Sequence, residues 1–298
     1  MERELFDFLK MNEVEYKEDL RLCDCSSVRI GGVASVVLFP DTDSKLITAL
    51  DFLWKNKIDY KIIGRLTNVL ISNNIKNIVF IKTDRLRGIN KFEKTIRLYA
   101  GERIASLTSL FIDDGIASFC SLSGIPGSVG GMIRNNAGAY GTEISDIIES
   151  AVVYSPKESK RILLTNKDMS FGYRESIFQH DDLVILYADF RIVSDVPKTI
   201  QKRYVETKEK RLATQPLSYP SLGSVFKRPQ GDYAARLIDA AGLKGASIGG
   251  ASVSEKHAGF IINTGNASFE DFQTLAEYIK QTVYTKFGVL LEEEIEII

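Results

Sequence analysis

The chain has 298 residues, of which 44% are hydrophobic and 26% charged, and its formal net charge is −1. These values are ordinary for a folded globular protein, and the balanced charge argues against a dedicated nucleic-acid-binding protein. No apolar run reaches the roughly 18 residues that a membrane-spanning helix needs, and the N-terminus lacks a secretory signal, so we expect a cytoplasmic protein. The three cysteines and two histidines form neither a disulfide framework nor a pattern of metal ligands.

Hydrophobic periodicity predicts a mixed α+β region in the first two-thirds of the chain. Helices are predicted at residues 46–54 and around 107–111, because apolar residues recur there on one helical face. Strands are predicted at residues 60–64, 68–72, 78–83, 95–100, 150–154, 161–164 and 183–193. These elements show no regular βαβ period, which favours an α+β class.

The remainder of the chain is predicted to begin with a solvated helix. Residues 197–213 are strongly charged and have little apolar content, so we place a domain boundary near Asp195. Later elements are a helix at 233–241, strands at 251–254, 259–263 and 289–298, and a long helix after the capping box Ser268-x-x-Asp271. We expect a first region at 1–195, in two α+β subdomains of about 1–84 and 85–195, and a C-terminal α+β domain at 196–298.

Glycines are concentrated in one part of the sequence. The segment 124–131 reads Gly-Ile-Pro-Gly-Ser-Val-Gly-Gly, and residues 135–141 read Asn-Asn-Ala-Gly-Ala-Tyr-Gly. Glycine loses the most backbone entropy on folding, so such density is typical of loops whose peptide N–H groups approach a ligand, phosphate above all. A pair of tight turns is the alternative. Neither the Gly-x-Gly-x-x-Gly nor the Gly-Lys-[Ser/Thr] phosphate motif is present.

These two glycine segments resemble the signature of the UDP-N-acetylenolpyruvoylglucosamine reductase family, the flavoenzymes of peptidoglycan synthesis often called MurB. Further strings that resemble this family lie in order at residues 27–32, 172–178, 215–229, 237–245, 249–263 and 291–294. The resemblance implies an FAD-binding fold of the vanillyl-alcohol-oxidase type, with two α+β subdomains and a C-terminal substrate-binding domain. It also implies that NADPH reduces FAD, which then reduces the enolpyruvyl ether of a UDP-sugar. The chain after Arg174 has no room for the long insertion of the larger type, so it resembles the shorter second type.

Three residues match the catalytic positions of the family. The resemblance implies that Ser224 donates a proton, that Arg174 clamps the substrate carboxylate, and that Glu294 polarises the carboxylate or relays a proton. Without the resemblance, Ser224 is an ordinary turn residue, Arg174 a surface charge and Glu294 a solvated acid. Alternation along a strand puts Glu292, Glu294 and Glu296 on one face, so a slip of one residue would select Glu293 or Glu292 instead.

The resemblance also implies binding residues for the cofactor and the substrate. Those for FAD are Gly31, Gly32, Gly64, Thr67, Asn68, Gly124, Ile125, Pro126, Gly127, Ser128, Gly130, Gly131, Asn136, Ala137, Gly138, Tyr140 and Gly141. Those for the UDP-sugar are Tyr173, Lys210, Arg211, Gln215, Lys227 and Arg228. No histidine precedes His180, so we expect FAD to be held non-covalently, and we expect His257 to be a structural hydrogen-bonding residue. NADPH is the expected co-substrate, and no protein partner is evident.

Two departures from the family pattern affect flavin binding. Leu66 replaces a glycine, and a left-handed backbone at this position would strain a leucine by about 1–3 kcal/mol. Residues 25–27 read Cys-Ser-Ser in place of His-Thr-Thr. These departures keep two alternatives open: a degenerate paralogue that binds flavin or UDP-sugar without turnover, and an FAD oxidase of the same fold with another substrate.

Overall fold

The computed structural model of the chain describes residues 2–75 and 77–298. The helices are α1 (Glu2–Met11), α2 (Asp43–Lys55), α3 (Thr108–Asp113), α4 (Val129–Arg134), α5 (Ile144–Ile147), α6 (Pro197–Thr214), α7 (Ala234–Ala240) and α8 (Phe269–Phe287). The strands are β1 (Tyr16–Arg21), β2 (Val33–Leu38), β3 (Tyr60–Ile63), β4 (Val69–Leu70), β5 (Val79–Lys82), β6 (Ile89–Lys91), β7 (Thr95–Tyr99), β8 (Gly138–Ala139), β9 (Thr142–Glu143), β10 (Ile148–Ser155), β11 (Lys160–Thr165), β12 (Val184–Arg191), β13 (Ser221–Ser224), β14 (Ser247–Ile248), β15 (Ala251–Val253), β16 (Phe260–Asn263) and β17 (Glu296–Ile297). None of the helices in these residues combines the length and apolarity needed to cross a membrane.

The chain forms two compact units, and each unit gathers segments that are distant in sequence. The first consists of Met1–Leu20, Ser35–Arg65 and Asn77–Glu209, and the second of Arg21–Ala34, Leu66–Lys76 and Lys210–Ile298. The change from the first unit to the second occurs inside α6. The division at residues 84 and 195, which assumes continuous segments, stays a prediction.

Two sheets organise the first unit. One has the strand order β1-β2-β5-β3, in which β5 pairs in parallel with both β2 and β3. The other has the order β11-β10-β12-β7-β6, and its pairs are antiparallel. Helix α2 buries Leu46, Leu50 and Leu53 in the core that these elements share, and Thr42 caps it by accepting a hydrogen bond from the N–H of Lys45.

The second unit has its own antiparallel sheet, in the order β13-β16-β15-β14, and its own core. Helix α8 contributes the predicted stripe Phe272, Leu275, Ala276, Ile279 and Val283, every member of which is buried. The capping box of Ser268 and Asp271 forms as expected. A separate parallel pair joins β17 to β4, with Glu296 opposite Val69.

The prediction of a strand over residues 289–298 is wrong for most of its length. Only Glu296–Ile297 forms a strand, and Glu293 makes a single bridge to Phe226. The segment lacks a continuous partner, so apolar alternation alone does not make it a strand. Helix α1 and strands β1 and β2 are not among the elements predicted from the sequence. In α1, Leu5 and Leu9 are buried four residues apart, which is helical spacing.

Candidate active site

The first glycine segment packs against the end of β3 in the first unit. A Cβ atom at Gly64 would lie 2.5 Å from Ser128 Oγ, so no side chain fits there unless the serine moves. Ser128 is buried and caps α4, where its hydroxyl accepts a hydrogen bond from the N–H of Gly131 at 3.4 Å. A side chain at position 64 would therefore displace the Ser128 hydroxyl from its position at the start of α4.

Backbone hydrogen bonds fix the same loop to the end of β7. The N–H groups of Val129 and Gly130 donate to the carbonyls of Glu102 and Ala100, at 2.8 and 2.9 Å. By contrast, no residue in the described part of the chain accepts a hydrogen bond from the N–H of Gly127 or Ser128. A fixed loop with two unused peptide donors is suited to bind an anionic oxygen.

The second glycine segment is held by Asn136, which is buried and has a φ of +39°. Its side-chain amide donates to Glu143 Oε2 and to the Gly172 carbonyl, both at 2.9 Å, and its Oδ1 accepts from the N–H of Ser145 at 2.9 Å. The role that these contacts show is structural: the side chain ties the β8–β9 hairpin to the turn at Gly172. A Cβ atom at Gly138 would lie 2.7 Å from Glu143 Cγ, so this position also needs glycine for packing.

Arg174 lies in a tight turn, where Gly172 and Glu175 exchange backbone hydrogen bonds of 3.0 and 3.2 Å. Its own φ is +57°, a left-handed conformation that is uncommon outside glycine. The guanidinium donates to the carbonyls of Gly138 at 3.0 Å and Asn136 at 3.4 Å, and it lies 3.6 Å from Glu143 Oε1. Only 16% of the side chain is exposed. Arg174 is therefore a held cation rather than a free surface charge.

The other residues predicted near these loops differ in exposure. Tyr173 and Tyr140 are exposed, and the Tyr173 ring lies 5.1 Å from the Arg174 guanidinium carbon. Ile125 is partly buried against the core of the first unit. Glu143 contacts both Asn136 and Arg174 but is not among the site residues predicted from the sequence. No local signal marks this glutamate, because its partner Arg174 is distant in sequence.

Ser224 is the last residue of β13 in the second unit. It pairs with Phe260, and the register shifts between Ser221 and Ser224. The shift coincides with Gly223, whose φ is +83° and around which a Cβ atom would meet nothing within 4 Å. Glycine is needed here for its backbone conformation. Ser224 is half-buried, and no other described residue forms a hydrogen bond with its hydroxyl.

Glu294 lies on a segment that pairs with the residues following Ser224. The N–H of Glu294 donates to the Val225 carbonyl at 2.7 Å, and the N–H of Lys227 donates to the Glu292 carbonyl at 2.8 Å. The second unit thus brings Ser224 and Glu294 onto neighbouring segments.

The three consecutive glutamates of this segment have different surroundings. Glu293 accepts a hydrogen bond from Lys280 Nζ at 3.0 Å, and this contact raises the pKa of Lys280. Glu292 has a side chain that is 77% exposed and lies 3.8 Å from Lys227 Nζ. Glu293 is therefore engaged by α8, and the assignment of Glu294 as the acid near Ser224 stays a prediction.

Leu66, which stands where the family pattern has glycine, adopts a left-handed backbone conformation. Its φ is +52°, and its side chain is only 2% exposed. The Leu66 carbonyl accepts hydrogen bonds from the N–H and the hydroxyl of Ser27, at 3.1 and 3.2 Å. Next to Ser27, the hydroxyl oxygen of Ser26 is buried and has no hydrogen-bond partner among the described residues. The strain expected at Leu66 is therefore present.

Two further glycines predicted to bind the cofactor lie in the second unit. Gly31 has a φ of +149°. A Cβ atom at Gly32 would lie 2.9 Å from both the Cα and the carbonyl oxygen of Asn73, so a larger residue would collide with backbone.

The residues predicted to bind the UDP-sugar lie on several elements. Lys210 and Arg211 are in the last turns of α6, and Gln215 follows this helix with its Oε1 buried and without a partner among the described residues. Lys227 faces Glu292, and the Arg228 guanidinium lies 4.9 Å from the Tyr233 ring.

His257 accepts a hydrogen bond on Nδ1 from the N–H of Gly259 at 3.2 Å. Burial lowers its pKa, which keeps the ring neutral and able to accept. The expected structural hydrogen bond is present.

Comparisons with known proteins agree with this organisation. The family model of an FAD binding domain matches residues 34–185, and that of the C-terminal domain of UDP-N-acetylenolpyruvoylglucosamine reductase matches residues 215–298. They confirm the predicted α+β fold class, with a flavin-binding region followed by a reductase C-terminal domain.

Curated relatives and a solved structure match nearly the whole chain. The UDP-N-acetylenolpyruvoylglucosamine reductase of Caldanaerobacter subterraneus subsp. tengcongensis is 42% identical over 273 residues, which cover 92% of this chain and 90% of the relative. That of Petrotoga mobilis is 40% identical over 278 residues, which cover 91% of each. The crystal structure of the Thermus caldophilus reductase (MurB) matches with a TM-score of 0.80 at 26% identity, covering 95% of this chain and 98% of that one. The chain therefore belongs to the UDP-N-acetylenolpyruvoylglucosamine reductase family.

Proposed function

We propose that this protein catalyses the NADPH-dependent, FAD-mediated reduction of UDP-N-acetylglucosamine enolpyruvate to UDP-N-acetylmuramate, a step of peptidoglycan precursor synthesis. Family membership supports the reaction and both cofactors. The observation on this chain that carries the proposal is the hydrogen bond of 2.7 Å from the Glu294 N–H to the Val225 carbonyl, which brings a carboxylate-bearing segment beside Ser224. We further propose that the protein acts in the cytoplasm on small molecules and that its domains divide near residue 195.

The residues present fit an FAD molecule. In the first unit, the N–H groups of Gly127 and Ser128 have no partner among the described residues and suit a phosphate oxygen. In the second unit, the buried hydroxyl of Ser26 also lacks a partner there and suits a polar group of the cofactor. The chemistry that FAD supplies when bound is the transfer of a hydride from NADPH to one carbon of the enolpyruvyl double bond.

Ser224 is the proposed proton donor. After the hydride forms a C–H bond at one carbon, the electron pair of the double bond moves to the carbon beside the carboxylate. The Ser224 O–H bond then breaks, and its proton joins this second carbon. A serine hydroxyl is a weak acid, so an enolate-like acceptor and stabilising neighbours are required. Because no described residue holds the hydroxyl, it is able to rotate toward the substrate.

Arg174 is proposed to stabilise the negative charge that develops on the substrate carboxylate. A guanidinium binds a carboxylate through two parallel hydrogen bonds when its plane is fixed. The guanidinium of Arg174 donates to the carbonyls of Gly138 and Asn136, and these hydrogen bonds fix its plane. Glu294 is proposed to polarise the carboxylate or to relay a proton to Ser224.

The substrate diphosphate and uridine are proposed to contact Lys227, Arg228, Lys210, Arg211 and Gln215. The buried Gln215 Oε1, which lacks a partner among the described residues, supports a role for this side chain in binding. Tyr173 is exposed beside Arg174 and is proposed to stack on the substrate or the nicotinamide.

A flavin spectrum followed by two half-reactions tests the proposal. Purified protein should show flavin absorbance, and acid or heat should release the flavin into the supernatant, because it is held non-covalently. NADPH should bleach the flavin under anaerobic conditions, and UDP-N-acetylglucosamine enolpyruvate should restore it. A bleached flavin that this substrate does not restore would support the degenerate paralogue. Restoration by oxygen and by no enolpyruvyl ether would support an oxidase.

A further inference from the structure

Two polar side chains connect residues 66–68 with both segments of the second unit that carry candidate catalytic groups. Asn68 Nδ2 donates to the carbonyl of Glu294 at 2.9 Å. Ser27 Oγ lies 2.7 Å from the Ser221 carbonyl and 3.2 Å from the Leu66 carbonyl. Ser221 begins the strand that ends at Ser224. The segment 66–68 therefore contacts the supports of both Ser224 and Glu294.

Asn68 makes two hydrogen bonds to the chain on the C-terminal side of Glu294. Its amide binds the Glu294 carbonyl, and its own carbonyl accepts from the N–H of Glu296 at 2.9 Å. The Glu294 N–H is held separately by the Val225 carbonyl. Both peptide groups of Glu294 thus have defined partners.

The segment around Glu294 is not a regular strand, so single contacts such as that of Asn68 contribute to its position. Only Glu296–Ile297 pairs continuously, and Glu293 forms an isolated bridge. Loss of the Asn68 amide removes the hydrogen bond to the Glu294 carbonyl and leaves the Glu294 N–H held by Val225.

We propose that Asn68 is a positioning residue, which sets the place of the Glu294 carboxylate through the Glu294 backbone. The proposal rests on the proposed function, since it assumes that Glu294 takes part in the reduction of the substrate. It assigns the side chain of Asn68 to the protein's own acid, in addition to the flavin contact expected from the sequence. The Ser27 hydroxyl contacts the Ser221 carbonyl at the start of β13, which is at the opposite end of this strand from Ser224.

A double-mutant cycle of Asn68→Ala with Glu294→Gln tests the proposal on the whole flavin-loaded protein. Three quantities are measured: the flavin dissociation constant, the rate of flavin reduction by NADPH, and the rate of reoxidation by UDP-N-acetylglucosamine enolpyruvate. Asn68→Ala should slow reoxidation by about 10- to 100-fold, as expected for a misplaced reacting group, and leave the NADPH step within about twofold. In the Glu294→Gln background the same change should slow reoxidation by less than about threefold, because its effect passes through Glu294.

Asn263→Ala is the matched control. Asn263 also donates its side-chain amide to a backbone carbonyl of the second unit, that of Val28, at 2.9 Å. Any effect of Asn263→Ala on reoxidation should be the same in the wild-type and the Glu294→Gln backgrounds, whereas the effect of Asn68→Ala should not. If Asn68→Ala protein does not fold, Asn68→Asp keeps the shape of the side chain, removes the N–H donor and should give the same coupling.

The outcomes separate this inference from the proposed function. A weaker flavin affinity with equal loss in both half-reactions would overturn the positioning role and leave Asn68 as a flavin contact only. Full retention of the Asn68 effect in the Glu294→Gln background would also overturn it. A wild-type rate for Glu294→Gln alone would remove Glu294 from the mechanism, and the inference would fail with that part of the proposed function.

Discussion

Arg174 in the first unit and Ser224 in the second both lie where the chain adopts a left-handed backbone conformation, but different residues adopt it. Arg174 has a φ of +57° itself, whereas Gly223, with a φ of +83°, adopts it for Ser224. A non-glycine residue in this conformation costs roughly 1–2 kcal/mol. The hydrogen bonds of the Arg174 guanidinium to two carbonyls offset this cost and fix its plane. Ser224 has neither the strain nor, among the described residues, a hydrogen bond to its hydroxyl.

The difference agrees with the roles proposed for the two residues. An arginine that clamps a planar carboxylate benefits from a fixed fork, because less rotational freedom is lost on binding. A proton donor must rotate to meet a carbon that becomes basic only during the reaction. We therefore expect a fixed guanidinium at Arg174 and a freely rotating hydroxyl at Ser224, and substitution of each residue tests its expected role.

The largest expected effect is that of Ser224→Ala. The variant should bind FAD and be reduced by NADPH at an almost unchanged rate, since the substitution removes one oxygen atom and little volume. Its reoxidation by the enolpyruvyl substrate should slow by about 10²–10⁴-fold, the contribution of one positioned acid. Stopped-flow absorbance measures both steps. A decrease of less than about tenfold would mean that the proton comes from Glu294 or from a bound water.

Arg174→Lys should slow the same step by about 10²–10³-fold, the effect of removing one oriented donor from a developing negative charge. Lysine keeps the charge but loses the planar fork that the Gly138 and Asn136 carbonyls hold. Arg191→Lys is the control, because Arg191 also donates to a backbone carbonyl of the first unit, that of Asp146, at 2.6 Å. It should leave both half-reactions unchanged. An equal decrease in the two half-reactions of Arg174→Lys would contradict the clamp.

Lys227→Ala and Arg228→Ala, made one at a time, should each raise KM for the UDP-sugar by about tenfold, which corresponds to about 1.5 kcal/mol for one charge-assisted contact. Flavin reduction by NADPH alone should stay near the wild-type rate. Lys244→Ala is the control, since Lys244 lies 2.7 Å from Asp239 and has no proposed part in binding. Damage to both half-reactions would show that Lys227 and Arg228 support the fold.

The sequence predicts those parts of the molecule whose cause is local. Helices α2, α6 and α8 follow from one-sided apolar patterns, charge and a capping box, and the structure has each of them. The composition of the second unit from three distant segments has no local signal, nor has the contact of Asn68 with Glu294, 226 residues apart. Such contacts depend on the packed fold, so a single sequence without its structure does not show them.

The candidate site likewise has some features that the sequence predicts locally and others that only the packed fold shows. Glycine density predicts that the loops approach something closely, but at Gly138 part of that demand comes from Glu143 of the protein itself. The sequence could not separate packing glycines from ligand-binding ones, because both need the same absence of a side chain. The choice of Glu294 among three glutamates came from the family resemblance and stays a prediction, because the contact of Glu293 with Lys280 describes Glu293 alone.

A smaller effect, of about 1 kcal/mol, is expected from the comparison of Leu66→Gly with Leu66→Ala. Both variants lose a buried side chain, which costs about 2–5 kcal/mol. Glycine should nevertheless be the more stable of the two, because it alone has no strain at a φ of +52°. This reverses the usual order, in which glycine is about 0.5–1 kcal/mol less stable than alanine. Urea unfolding measures the difference, and an alanine variant that is more stable than the glycine variant would contradict it.

Gly223→Ala is the matched control for this comparison. Nothing lies within 4 Å of a Cβ atom at Gly223, so the substitution adds strain without a collision. It should lower the free energy of unfolding by about 1 kcal/mol. The substitutions thus compare the cost of a left-handed conformation at position 223, which has glycine, with its cost at position 66, which has leucine.

The smallest effect is a change in how stability depends on pH, and it concerns His257. Burial lowers the pKa of this ring in the folded protein, so below the ordinary histidine pKa of about 6.5 the unfolded chain binds more protons than the folded one. The contribution of His257 to stability is therefore complete above about pH 6.5 and is lost as the pH falls through the lowered folded pKa. Protonation also removes the Nδ1 acceptor of the Gly259 N–H.

The variant His257→Asn tests this dependence, because asparagine keeps an acceptor but does not titrate. The free energy of unfolding of the variant should decrease less than that of the wild type between about pH 7 and pH 5. The carboxylates whose pKa values are lowered, such as Asp271, titrate in both proteins and cancel in the difference. Equal slopes of unfolding free energy against pH in the two proteins would show that the ring is protonated without cost in the fold.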